Sequence, residues 1–71
     1  MLFTDVSYQR AVNAFEKAGF WISKNFGSKH AGMTDGKRKI IIPRHPRLNP
    51  YTLKGIIKDA GLTDNEFKEL L

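Results

Sequence analysis

Residues 20–43, FWISKNFGSKHAGMTDGKRKIIIP, decide how the chain folds. Phe20-Trp21-Ile22-Ser23-Lys24 is aromatic and β-branched with no helical spacing, which predicts a strand. Phe26-Gly27-Ser28-Lys29 then turns the chain. His30 to Thr34 forms a second strand, and Asp35-Gly36 supplies a hairpin turn that favours positive φ. Lys39 to Ile42 is a third strand, halted by Pro43, which has no N–H to give to a ladder. The period of two turns Ala31, Met33, Ile40 and Ile42 toward a dry face and leaves His30, Lys39 and Ile41 on a wet one.

Outward from this meander the pattern becomes helical. On the N-terminal side Ser7 caps a helix whose apolar stripe is Tyr8, Ala11, Val12 and Phe15, and Ala18-Gly19 ends it. On the C-terminal side a loop broken by Pro43, Pro46 and Pro50 leads to a second stripe, Leu53, Ile56, Ile57 and Ala60, closed by Gly61. Asn49 or Thr52 caps its start. Gly55 inside that helix costs about 1 kcal/mol relative to alanine and is expected to mark a close backbone approach. Thr63-Asp64-Asn65-Glu66 is a capping box, with Leu62 and Phe67 spaced as its staple, so a short terminal helix follows, seated through Leu70 and Leu71. The fold class is α+β, in the order αβββα with an appended helix.

The bulk numbers agree with one modest core: 71 residues suggest a single domain over 1–71. With no cysteine there is no disulfide framework and no thiolate zinc site. The start Met1-Leu2-Phe3-Thr4-Asp5 lacks the marks of a leader, and Ile40-Ile41-Ile42 is too short to cross a bilayer, so a cytoplasmic protein is expected. The net charge is +5, and residues 23–47 carry Lys24, Lys29, Lys37, Arg38, Lys39, Arg44 and Arg47 against Asp35 alone. Such segregation suits a face made for a polyanion, the alternative being an ordinary solvated surface.

With a single acid in the basic segment, nuclease chemistry that needs several carboxylates around divalent ions is not expected, and His30 with His45 makes a poor zinc site. No metal or other cofactor is therefore expected. What remains is cleavage of RNA by its own 2′-hydroxyl. That reaction asks the protein for a group that exchanges a proton near neutral pH and for positive charge beside the phosphorus. His30 beside Lys29 supplies both. His45, in Pro43-Arg44-His45-Pro46, is an acid, a phosphate contact or simply a loop residue. Lys29, Lys37, Arg38, Lys39, Arg44 and Arg47 are candidates for sharing phosphate contact. Trp21 either stacks on a base or serves as a core or partner-contact aromatic.

Several motifs together resemble the HicA family of toxin ribonucleases, which are paired with HicB antitoxins. They are Ser7-Tyr8 through Lys17-Ala18-Gly19-Phe20, Gly27-Ser28-Lys29-His30, Ile40-Ile41-Ile42-Pro43-Arg44-His45, Thr52 through Leu62, and Glu66-Phe67. The resemblance implies a fold like the double-stranded-RNA-binding domain, an mRNA interferase activity without a metal cofactor, and RNA and a HicB-type antitoxin as partners. It places the catalytic role on His30, the end of a Gly-Ser-x-His motif. Gly27 and Ser28 then shape the turn, with Ser28 a phosphate contact. Many members carry a second histidine at the x position. Here that position is Lys29, which removes a second titrating group from the turn. A non-catalytic RNA-binding module, and a protein-interaction domain with an acidic partner, are the competing readings.

Overall fold

A computed structural model describes residues 2–71. The elements are α1 (Tyr8–Lys17), β1 (Trp21–Phe26), β2 (His30–Thr34), β3 (Lys39–Pro43), α2 (Pro50–Asp59) and α3 (Asp64–Leu70). The strands form one antiparallel sheet in the order β1-β2-β3, and α1 and α2 both pack against β3. This is the α+β arrangement that the alternation and stripes predict, and it is consistent with the double-stranded-RNA-binding-domain-like fold that the resemblance implies.

Local chemistry explains where the helices start and stop. Ser7 Oγ accepts from the Arg10 N–H at the head of α1, and Gly19, at φ +97°, turns the chain after it. Of the two candidates for capping α2, Asn49 is the one used: its Oδ1 accepts from the N–H groups of Tyr51 and Thr52. The capping box of α3 is complete, with Thr63 Oγ1 accepting from Glu66 N–H and Glu66 Oε1 accepting from Thr63 N–H. Leu62 and Phe67 then meet the core on either side of that cap, and Leu70 and Leu71 also rest against it.

The core lies between the helices and one face of the sheet. Ala31, Met33, Ile40 and Ile42 are buried, whereas Ile41 is 51% exposed and Lys39 is exposed, as the period of two requires. Phe20, expected to open the first strand, instead precedes it and is buried, with its ring edge-on to Phe15 at 5.9 Å. β1 ends later than expected. Phe26 pairs with His30, so the first hairpin loop is only Gly27-Ser28-Lys29, with Gly27 at φ +68°. The second hairpin is wider than a two-residue turn: Thr34 pairs with Lys39, and Asp35 through Arg38 form the loop. There Asp35 Oδ1 accepts from the N–H groups of Lys37 and Arg38, and Thr34 Oγ1 donates to the Arg38 carbonyl.

Gly55 does not mark a close approach: a Cβ built there meets no atom within 4 Å. It is an exposed glycine in a helix interior, and nothing around it demands a missing side chain. Gly55→Ala is therefore expected to stabilise the fold by about 0.5–1 kcal/mol, through helix propensity and a less mobile unfolded chain. For a domain of this size that raises the thermal midpoint by roughly 2–8 °C. A calorimetric scan showing a lower midpoint contradicts it.

Candidate active site and nucleic-acid interface

His30 is the first residue of β2, where it faces Phe26 on one side and Pro43 on the other. Its neighbour Ala31 is buried beneath the sheet, so strand alternation turns His30 to the face opposite the helices, and it is partly exposed there. Its imidazole makes no hydrogen bond or ion pair with another described residue. Both ring nitrogens are thus available to a ligand. Gly27, Ser28 and Lys29 form the turn that delivers it, all exposed. The Lys29 carbonyl accepts from the Arg44 N–H at 2.8 Å, which ties this turn to the end of β3.

The remaining basic side chains part company. Arg44 shares the His30 end of the sheet but lies on the helix side, where its guanidinium donates to Asn25 Oδ1 and sits 5.6 Å from the Tyr8 ring centre. His45 is exposed just beyond, and its carbonyl accepts from the Tyr8 N–H at 3.1 Å, so its backbone helps to dock the start of α1. Arg47 pairs loosely with Asp5 at 3.6 Å, both side chains well exposed. Lys37 and Arg38 in the second hairpin loop, and Lys39 at the start of β3, lie at the far end of the sheet from His30, where Lys39 pairs with Thr34 about 13 Å along β2. Arg38 turns back under the sheet to Gly61, just past the end of α2: a Cβ at Gly61 would meet its Nε at 2.7 Å. The negative end of that helix favours the cation there.

The structure therefore puts His30 at one end of the open face, next to the exposed Gly27-Ser28-Lys29 turn, and Lys39 at the other, and sends Arg38 and Arg44 to the opposite face. Two residues that the sequence pattern does not single out join the open face. Lys24 lies opposite Gly32, and Phe26 lies opposite His30 with its ring 5.1 Å from the Lys24 ammonium. Their spacing, i and i+2, is a signal of a shared strand face, hidden as long as Phe26 is read as part of the turn.

The acidic side chain nearest in sequence, Asp35, is committed to the far turn. The Arg38 N–H, then the Lys37 N–H, hydrogen-bond its carboxylate and hold its pKa below the ordinary value. Among the described residues no cluster of three or more His, Cys, Asp or Glu side chains is placed to hold a metal ion.

The family model described as the HicA toxin of bacterial toxin–antitoxin systems matches residues 8–62, from the first residue of α1 through the sheet and α2. The chain belongs to the HicA toxin family. As a HicA-type protein it is a toxin with a cognate antitoxin as its partner. The match takes in the Gly27-Ser28-Lys29-His30 turn and stops before α3, which in this HicA chain nevertheless contributes the buried Phe67 to the core. No curated protein matches this sequence. None of the described helices is long and apolar enough to cross a membrane.

Proposed function

We propose that this toxin is an endoribonuclease that cuts mRNA in the cytoplasm without a metal ion, with His30 as the proton-transfer group. The observation that carries the reading is the position of His30: it follows the exposed Gly27-Ser28-Lys29 turn and faces the open side of the sheet, its imidazole engaged by no other described residue. In the proposed reaction the neutral imidazole takes the proton of a ribose 2′-hydroxyl. The 2′-oxygen bonds to the adjacent phosphorus, the bond from phosphorus to the 5′-oxygen breaks, and the leaving oxygen takes its proton from solvent. The products are a 2′,3′-cyclic phosphate and a 5′-hydroxyl.

The Lys29 ammonium supplies positive charge where the phosphorane oxygens accumulate negative charge, and Ser28 donates to the same phosphate. His45, exposed at the same end, contacts a neighbouring phosphate. Lys37 and Lys39 attract the strand further along, while Arg38 and Arg44, engaged within the protein, and Arg47, loosely paired with Asp5 at the surface, act through the summed field. The partner is a HicB-type antitoxin that neutralises the toxin by covering the His30 face.

Purified protein incubated with single-stranded RNA and EDTA is expected to cut it at the same rate as without chelator. Intact RNA, with binding that weakens steeply as salt rises, would instead leave only an RNA-binding module. In cells, growth arrest on expression, relieved by co-expression of the adjoining reading frame, is the expected companion result.

A further inference from the structure

β1 does not pair evenly with β2. Ile22 faces Met33 and Lys24 faces Gly32, so a bulge at Ser23 inserts one extra residue. In a regular strand Trp21 and Lys24 would point to opposite faces; the bulge brings Trp21, Lys24 and Phe26 onto the face that also carries His30. Trp21 is 52% and Phe26 42% exposed, and Ile41 on β3 is 51% exposed. β1 is an edge strand exposed along its whole length, because the helices pack under β3.

Several details suit this row to flat, anionic ligands. A Cβ at Gly32 would lie 2.8 Å from Cε2 of Phe26, so the bare glycine is what allows the Phe26 ring to lie across β2. The Trp21 ring reaches over Gly36, where a Cβ would stand 3.8 Å from Cη2. Beside the Phe26 ring, Lys24, Lys39 and Ile41 help to line a shallow depression of about 200 Å³. No strand carries an aspartate or glutamate. Aromatic faces interleaved with cations, and free of carboxylates, match the alternating bases and phosphates of a single strand.

We infer that the open sheet face is a platform for single-stranded RNA, on which bases stack on Phe26 and Trp21 while Lys24 and Lys39 hold the phosphates between them. The inference rests on the ribonuclease reading and adds the substrate's path to it. A base on Phe26 brings the adjoining ribose–phosphate beside His30, the residue opposite in the ladder. Trp21 then holds a base further along, near the far end of β2, about 13 Å away. The Lys24 ammonium, now beside the Phe26 ring, moves to phosphate when a base takes its place. A duplex keeps its base faces inside and is excluded.

Trp21 is the chain's only tryptophan, so its fluorescence reports stacking directly. The probe is an adenosine-rich single-stranded RNA methylated at every 2′-oxygen, which binds but lacks the nucleophile for cleavage. It is expected to quench Trp21. Phe26→Ala or Trp21→Ala should weaken its binding roughly 5- to 150-fold by anisotropy, as loss of one stacked base does. Phe26→Tyr and Trp21→Phe should retain most of the affinity, which separates stacking from misfolding, and Lys58→Ala on α2 should change little. Bound RNA that leaves Trp21 unquenched, unchanged affinity in the alanine variants, or equal quenching by the duplex overturns the platform. So does a loss confined to antitoxin binding, which would make this face a protein interface only. Cleavage of unmethylated RNA is followed in parallel: if it persists in any of those outcomes, the platform falls and the ribonuclease reading stands. Quenching without cleavage would uphold the platform and remove the ribonuclease reading.

Discussion

Replacing His30 by alanine is expected to slow RNA cleavage by about two to four orders of magnitude, the usual share of a positioned general base. The chain should remain folded. His30 is only partly buried, its ring makes no polar bond with a described residue, and Ala31 beside it already meets the core. A thermal midpoint close to that of the parent, together with RNA affinity within a few fold of it, would confirm that chemistry and not structure has been removed. His30→Gln, which keeps a hydrogen-bonding side chain but cannot exchange a proton near neutral pH, should be nearly as slow. Lys29→Ala should cost less, since other cations remain nearby, and should act mainly through the phosphate. Cleavage by His30→Ala at the parent rate would remove His30 from the reaction altogether.

Replacing Phe67 by alanine should have the largest effect on stability. Its ring is wholly buried, 5.1 Å from the Phe15 centroid and 5.3 Å from that of Phe3. Truncation of a buried phenylalanine costs about 3–5 kcal/mol, against a total of roughly 4–10 kcal/mol for a chain of this length. The protein should therefore be close to unfolding at room temperature. Urea titration followed by circular dichroism measures this directly; a loss below about 1 kcal/mol would show that α3 is not part of the cooperative core. Phe67 lies outside the span that matches the family, so the result also tells whether the αβββα unit stands without its terminal helix. Phe67→Leu keeps much of the apolar volume and should be milder.

The meander is legible in the sequence because its register is written in the alternation. Ala31, Met33, Ile40 and Ile42 can face only one way if the sheet is to have a dry side, and that alone puts His30 and Ile41 on the other. Helix ends are legible where a side chain satisfies backbone N–H groups nearby, as at Ser7 and Thr63. The site is harder because charge along the chain does not say which face a cation takes. Arg38 and Arg44 belong to the same basic run as Lys39, yet alternation sends both to the helix side, where Gly61 and Asn25 with Tyr8 receive them. Those partners come from distant segments. The bulge at Ser23 has no local signature either, and it decides that Trp21 and Lys24 share a face. Gly55 misleads because a glycine inside a helix signals a close approach only when something is there to approach.

The central claim is that the substrate's own 2′-hydroxyl is the nucleophile and His30 its proton acceptor, and the ends left at the cut test it most directly. RNA cleaved by the purified protein in EDTA, with products resolved by mass, should carry a 2′,3′-cyclic phosphate on one fragment and a 5′-hydroxyl on the other. A single 2′-deoxy substitution at the cut site should abolish cleavage there. Fragments ending in 3′-hydroxyl and 5′-phosphate, or cleavage that survives the deoxy substitution, would mean that water and not the ribose attacks, and the account given for His30 would be wrong.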